Sequence, residues 1–156
     1  MVDDLPLDAP ARPRPYLRTL NLLVGRMTTI KLAYWAALTA WEIWGPRGWS
    51  ITFAAAASVA AMAWAAWSAR RIDRRAGGIA RSIPTVATAF VTASVVAAPA
   101  SLPLLLVERQ RSIEGCLPAG NTCHGDALLL WVATFAIGFL LIPAVFAIAL
   151  RRTESA

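Results

Sequence analysis

Four apolar stretches, each near the length of a bilayer-crossing helix, take up most of this chain: roughly 27–44, 49–69, 83–107 and 127–150. A helix needs about 20 mainly apolar residues to cross the hydrocarbon core of a membrane. In 156 residues, 58% of them apolar, four crossings and their connections leave no room for a separate soluble domain. The sequence therefore predicts an all-α integral membrane protein. Residues 26–156 form a bundle of four transmembrane helices, and residues 1–25 form a proline-rich arm with a short interfacial helix.

The charges orient that bundle. If the N-terminus is cytoplasmic, twelve basic residues lie inside: Arg12, Arg14, Arg18, Arg26, Lys31, Arg70, Arg71, Arg74, Arg75, Arg81, Arg151 and Arg152. Only Arg47, Arg109 and Arg111 then lie outside, a distribution that satisfies the positive-inside rule with both termini cytoplasmic. The net charge of +6 flanks membrane helices, where it contacts anionic lipid, so it does not point to nucleic acid. The dense run Arg70, Arg71, Arg74, Arg75 and Arg81 is the main topology and lipid determinant. Arginine outnumbers lysine fourteen to one and alanine is abundant, a codon bias of GC-rich bacteria, which places the chain in a bacterial cytoplasmic (inner) membrane. The first 25 residues lack the pattern of a cleaved signal peptide, so the first span is expected to act as an uncleaved anchor.

Pro6, Pro10, Pro13 and Pro15 prevent a helix in the arm, which reads as a polyproline-like tail or as a segment laid along a neighbouring subunit. Leu17, Leu20, Leu23 and Val24 recur at helical spacing, as an interfacial helix or a cytoplasmic extension of the first span. Lys31 is expected to snorkel back to the headgroups. A tight turn at Gly45-Pro46-Arg47-Gly48 makes the first two helices antiparallel neighbours. Trp41, Trp44, Trp49 and Trp131 at one interface, with Trp64 and Trp67 at the other, fit aromatic belts.

Two stripes of small residues mark helix contacts: Ala57, Ala61, Ala65 and Ala69 in the second span, and Ala89, Ala93, Ala97 and Ser101 in the third. Apolar character cannot drive association within lipid, so close approach through small side chains does much of that work. The stripes are expected to face each other or a partner helix. Pro99, Pro103 and Pro143 lie inside spans and predict kinks, because each removes an i→i−4 hydrogen bond.

The outer loop over 108–126 holds both cysteines, Cys116 and Cys123. On the oxidising side an even, closely spaced pair reads as a disulfide. Cys116, Cys123, His124 and Asp126 are also of metal-ligand type, but their spacing fits no usual zinc pattern. Four spans, both ends inside and cysteines in the second outer loop resemble the quinone-linked membrane oxidoreductases that reoxidise disulfide donors. That resemblance implies thiol–disulfide exchange, yet the first outer loop here has no cysteine, so no catalytic residue carries over.

The rest of the inventory excludes chemistry. The single histidine, His124, leaves no transmembrane pair for a haem, and neither a nucleophilic triad nor a phosphate-cradling glycine loop is present. Glu42 is the one carboxylate expected inside a span. It lies near the outer boundary, where it would snorkel outward or pair with Arg47, Arg109 or Arg111. By exclusion, the sequence points to a non-enzymatic subunit without cofactors, which stabilises or assembles a respiratory or envelope membrane complex. The expected partners are other membrane subunits and anionic lipid. Two alternatives follow particular residues: a small proton-coupled exporter or channel using Glu42, and a thiol oxidoreductase using Cys116 and Cys123.

Overall fold

The computed structural model describes residues 15–76, 80, 82–116 and 124–152, and no strand occurs among them. Six helices follow one another: α1 (Pro15–Trp44), α2 (Ser50–Ala76), α3 (Ile83–Ala97), α4 (Leu102–Cys116), α5 (His124–Ala136) and α6 (Ile142–Arg152). α3 runs into α4 and α5 into α6 through short irregular segments, so the bundle consists of four rods.

Local chemistry explains the ends and the irregularities. α1 opens on Pro15, whose missing N–H costs nothing in the first helical turn. It closes where the Gly45 N–H donates to the Trp41 carbonyl at 2.6 Å. A Cβ on Gly45 would lie 2.5 Å from that carbonyl and 2.6 Å from the Trp41 ring, so only glycine fits. Trp41 in turn stacks on Phe53 of α2, centroids 4.2 Å apart, and ties the two helices together beside the turn.

Around Pro99 and Pro103 the backbone tightens into a 3₁₀ turn over Ala98–Ser101, and the Leu102 N–H donates to the Pro99 carbonyl. Ahead of Pro143 it widens into a π segment over Ile137–Leu141, closed by the Ile142 N–H on the Ile137 carbonyl. Both are local solutions to a proline that can neither donate nor tolerate the carbonyl four residues back.

α1 packs against α2, α3 and α4, while α2 packs on α6 and α4 on α5. Three rods are long and apolar enough to cross a membrane: Ser50–Ile72, Ile83–Arg111 and Leu129–Arg151. α1 is not among them, because Arg18, Arg26, Lys31 and Glu42 interrupt its apolar run. The surface of the three rods is apolar on the outside. Val59, Val91, Val95, Leu106, Leu129 and Leu140 are each more than half exposed, while alanines fill the interior. This is a helical protein of the membrane type.

The small-residue stripes are used within the bundle and not against each other. Ala89, Ala93, Ala97 and Ser101 are buried, and the principal neighbour of α3 is α1. Ala61, Ala65 and Ala69 are buried on α2, which packs on α1 and α6, and Ala57 is half-buried.

Of the two readings of residues 16–24, the extension fits: they continue into the segment 27–44 as one helix, α1. Two expectations need correction. The inner basic run starts as helix, since α2 extends to Ala76 and carries Arg70, Arg71 and Arg74 on it; the side chains of Arg75 and Arg81 lie outside the described residues. The segment 108–126, expected as an outer loop, is helix at both ends, because α4 continues to Cys116 and α5 begins at His124.

Candidate functional site along the first helix

Lys31, Trp35, Leu38 and Glu42 recur at intervals of four, three and four residues, which places them on one stripe of α1. All four are buried, so α1 turns Lys31 and Glu42 inward, while its other two charged residues, Arg18 and Arg26, are exposed. Lys31 and Glu42 stand about 16 Å apart along the helix axis by the ideal rise per residue.

Lys31 does not snorkel; its relative exposure is 0%. Its Nζ donates to the Ser94 Oγ at 2.6 Å, and Ser94 passes its own proton to the Phe90 carbonyl at 2.8 Å. The ammonium also lies 5.2 Å from the Phe90 ring centre and 5.1 Å from that of Phe139. Among the described residues no carboxylate pairs with it. Each cation–π contact is worth about 0.5–2 kcal/mol, which offsets part of the cost of a lysine held away from water.

Ser94 lies one turn before the 3₁₀ segment and Phe139 lies within the π segment, so both irregular segments flank this cation. Gly138 explains how the π segment comes so close. A Cβ there would stand 3.0 Å from the Trp35 ring and 3.2 Å from the Tyr34 ring. Phe139 stacks on Phe135 at 4.3 Å and tilts against Trp35 at 5.7 Å, which completes an aromatic wall.

Between the two charged positions, the Tyr34 hydroxyl bonds with the Ser58 Oγ at 3.1 Å and reaches the Thr134 carbonyl at 3.5 Å. The Trp35 indole N–H and the Thr39 hydroxyl are buried without a hydrogen-bond partner.

At the far end Glu42 forms a hydrogen-bonded ion pair with Arg111 of α4. This is one of the three partners expected for Glu42, and protein covers the carboxylate: Glu42 is 5% exposed, while the Arg111 side chain is part-exposed. Glu108 lies against the same pair. It is 7% exposed and its Oε1 has no hydrogen-bond partner. Among the described residues Arg111 pairs with Glu42, and Glu108 is a second buried carboxyl one helical turn before Arg111 on α4.

The sequence offers Arg111 as a partner for Glu42 but puts it in an outer loop with Glu108, and the buried Glu108 carboxyl is not foreseen at all. The signal was present as spacing: Ser101, Leu104, Glu108 and Arg111 continue the buried stripe of Ala93 and Ala97 at helical intervals. The cysteine pair is different. Cys123 and the Cys116 side chain lie outside the described residues, as do the side chains of His124 and Asp126, so the disulfide and metal expectations fall there too. Among the described residues no cluster of histidine, cysteine and carboxylate side chains is grouped as a metal site. Comparison with protein-family models, characterised proteins and solved structures finds no match, so the argument for function rests on this geometry.

Proposed function

We propose that the chain is a small proton-coupled membrane exporter or channel in which Glu42 carries the moving proton. One observation supports this most: the Glu42–Arg111 ion pair is buried inside the bundle together with a second buried carboxyl, Glu108, whose Oε1 has no partner. Two carboxyl groups and one guanidinium are neutral together with one proton on a carboxyl, and carry one buried negative charge without it. A group whose burial energy changes by a whole charge can drive a conformational step when it is protonated.

In this reading α1 is the fourth crossing helix and both termini are cytoplasmic. The basic residues of its N-terminal end then join those of α2 and α6 on one side. The unpartnered Trp35 N–H, Thr39 hydroxyl and Glu108 Oε1 lie on the stretch from Lys31 to the carboxyl pair and its α4 neighbour. Polar atoms of this kind are costly in lipid unless water or a passing solute meets them.

The test is proton flux into proteoliposomes under an imposed potassium diffusion potential, with and without ethidium as a lipophilic-cation probe. The intact chain should exceed the protein-free leak in at least one condition. Glu42→Gln should fall to that leak while keeping its helical content. Equal flux in Glu42→Gln and the intact chain, or no flux from either, would sink the proposal.

A second reading, the accessory or assembly subunit, is favoured by a different surface. A lateral groove of about 400 Å³ opens between α1 and α2 and is lined by Ala33, Ala37, Ala56, Ala57, Ala60 and Ala61, with larger residues at its ends. Small residues on a lipid-facing surface let a partner helix approach closely. If a host subunit docks there, Ala60→Leu should lower co-purification in mild detergent without unfolding the bundle, and unchanged recovery would remove the groove from consideration.

A further inference from the structure

At the arginine-rich end of the bundle a pocket of about 40 Å³ lies between α1 and α2, lined by Leu22, Arg26, Trp67, Ser68, Arg71 and Ile72. That is far below the roughly 300–1,000 Å³ of a site for a drug-sized ligand. It suits the charged end of a molecule whose remainder lies elsewhere.

Leu22 and Arg26 lie four residues apart on α1, and Trp67 and Arg71 four apart on α2, so each helix presents one apolar residue and one guanidinium to the pocket. Among the described residues neither Arg26 nor Arg71 forms an ion pair. The Arg71 guanidinium lies over the Trp67 ring at 5.1 Å, a contact that positions the cation and leaves its in-plane N–H groups available. Ser68 supplies the independent observation. It is 3% exposed, it lines the pocket, and its Oγ has no hydrogen-bond partner. The buried hydroxyl lacks an acceptor, the two guanidinium groups lining the pocket have no carboxylate partner among the described residues, and the acceptor that satisfies all three is an oxyanion with several oxygens.

We propose that the pocket formed by Arg26, Ser68 and Arg71 binds a phosphate group, supplied by the headgroup of an anionic phospholipid. Phosphate accepts forked hydrogen bonds from two arginines at once and has an oxygen left for the hydroxyl, whereas a carboxylate has only two oxygens. The surroundings favour a lipid as the source. Leu22 is 45% and Trp67 54% exposed beside the guanidinium groups, which presents apolar surface next to the charge. The pocket also adjoins the end of the apolar segment Ser50–Ile72. This site is independent of Glu42 and of any transport role.

The test uses the full chain in detergent and native mass spectrometry, titrated separately with phosphatidylglycerol, inorganic phosphate and oleate. Phosphatidylglycerol should be retained, and Arg26→Gln or Arg71→Gln should weaken it about tenfold or more, as expected for loss of charge-assisted hydrogen bonds. Ser68→Ala should weaken it less, and Arg70→Gln, an exposed arginine of α2 outside the pocket, should not change it. Displacement of the lipid by millimolar inorganic phosphate would keep the phosphate site but assign it to a soluble ligand. Oleate binding as tightly as phosphatidylglycerol, or an equal loss in Arg70→Gln, would overturn the proposal. Arg26 and Arg71 are exposed, so their variants should fold, and matched unfolding temperatures would confirm it.

Discussion

Lys31 and Glu42 are buried on the same stripe of the same helix, yet the protein handles them in opposite ways. Glu42 receives a full opposite charge from Arg111, and the surplus carboxyl of Glu108 beside it. Lys31 receives no charge among the described residues, only the Ser94 hydroxyl and two ring faces. The first arrangement is strong and fragile: remove one member and an uncompensated charge is left inside. The second is weak and robust, because none of its partners depends on the ammonium. Ser94 already donates to the Phe90 carbonyl, and the two phenyl rings are apolar groups that pack without a cation. Burial alone therefore does not say how much a charged residue matters to the fold. What matters is whether its partners can do without it.

The sharpest way to break this comparison is at Arg111. Arg111→Ala strands two carboxyl groups in the bundle, and breaking a buried pair in this way typically costs about 3–5 kcal/mol. Thermal unfolding in detergent should show a large fall in midpoint relative to Arg109→Ala, which removes the exposed neighbouring arginine. A fall no greater than that of Arg109→Ala would mean that Glu42 and Glu108 reach water. The contrast with Lys31 would then vanish.

Sequence reading was strongest where composition acts over long stretches and weakest where a few polar residues change sides. The apolar rods Ser50–Ile72, Ile83–Arg111 and Leu129–Arg151 follow from hydropathy alone, and the irregular turns near Pro99, Pro103 and Pro143 from the prolines themselves. The burial of Ala93 against the exposure of Val91 follows from helical spacing. The charged site was hidden by a rule applied too strictly. An isolated helix has no place for an ammonium except the headgroups, and charged residues usually end a span, so the sequence alone points Lys31 outward and Glu108 into a loop. Neither rule knows that α1 lies beside three other helices, where Ser94, Phe90, Phe139 and Arg111 supply an interior that is not lipid. Helical spacing past Leu104 was the one local signal that could have kept Glu108 and Arg111 within the bundle.

The smallest expected effect belongs to Lys31, and for that reason it sharpens the comparison most. Lys31→Met removes the charge and keeps an unbranched, mainly apolar side chain one heavy atom shorter. The desolvation cost of the ammonium disappears together with its hydrogen bond and its two cation–π contacts, and replacing buried charge by apolar bulk is often neutral or stabilising. The thioether gains favourable contacts with aromatic rings such as Phe90 and Phe139. The Ser94 hydroxyl stays satisfied as a donor. The unfolding midpoint should therefore correspond to a change within about 1 kcal/mol of the intact chain, in either direction. A loss as large as that of Arg111→Ala would show that the ammonium holds the α1–α3 contact together, and that Lys31 and Glu42 are two instances of one device. A near-neutral result would leave Lys31 as a charge that the fold tolerates without needing it, which is the pattern of a residue kept for what it does.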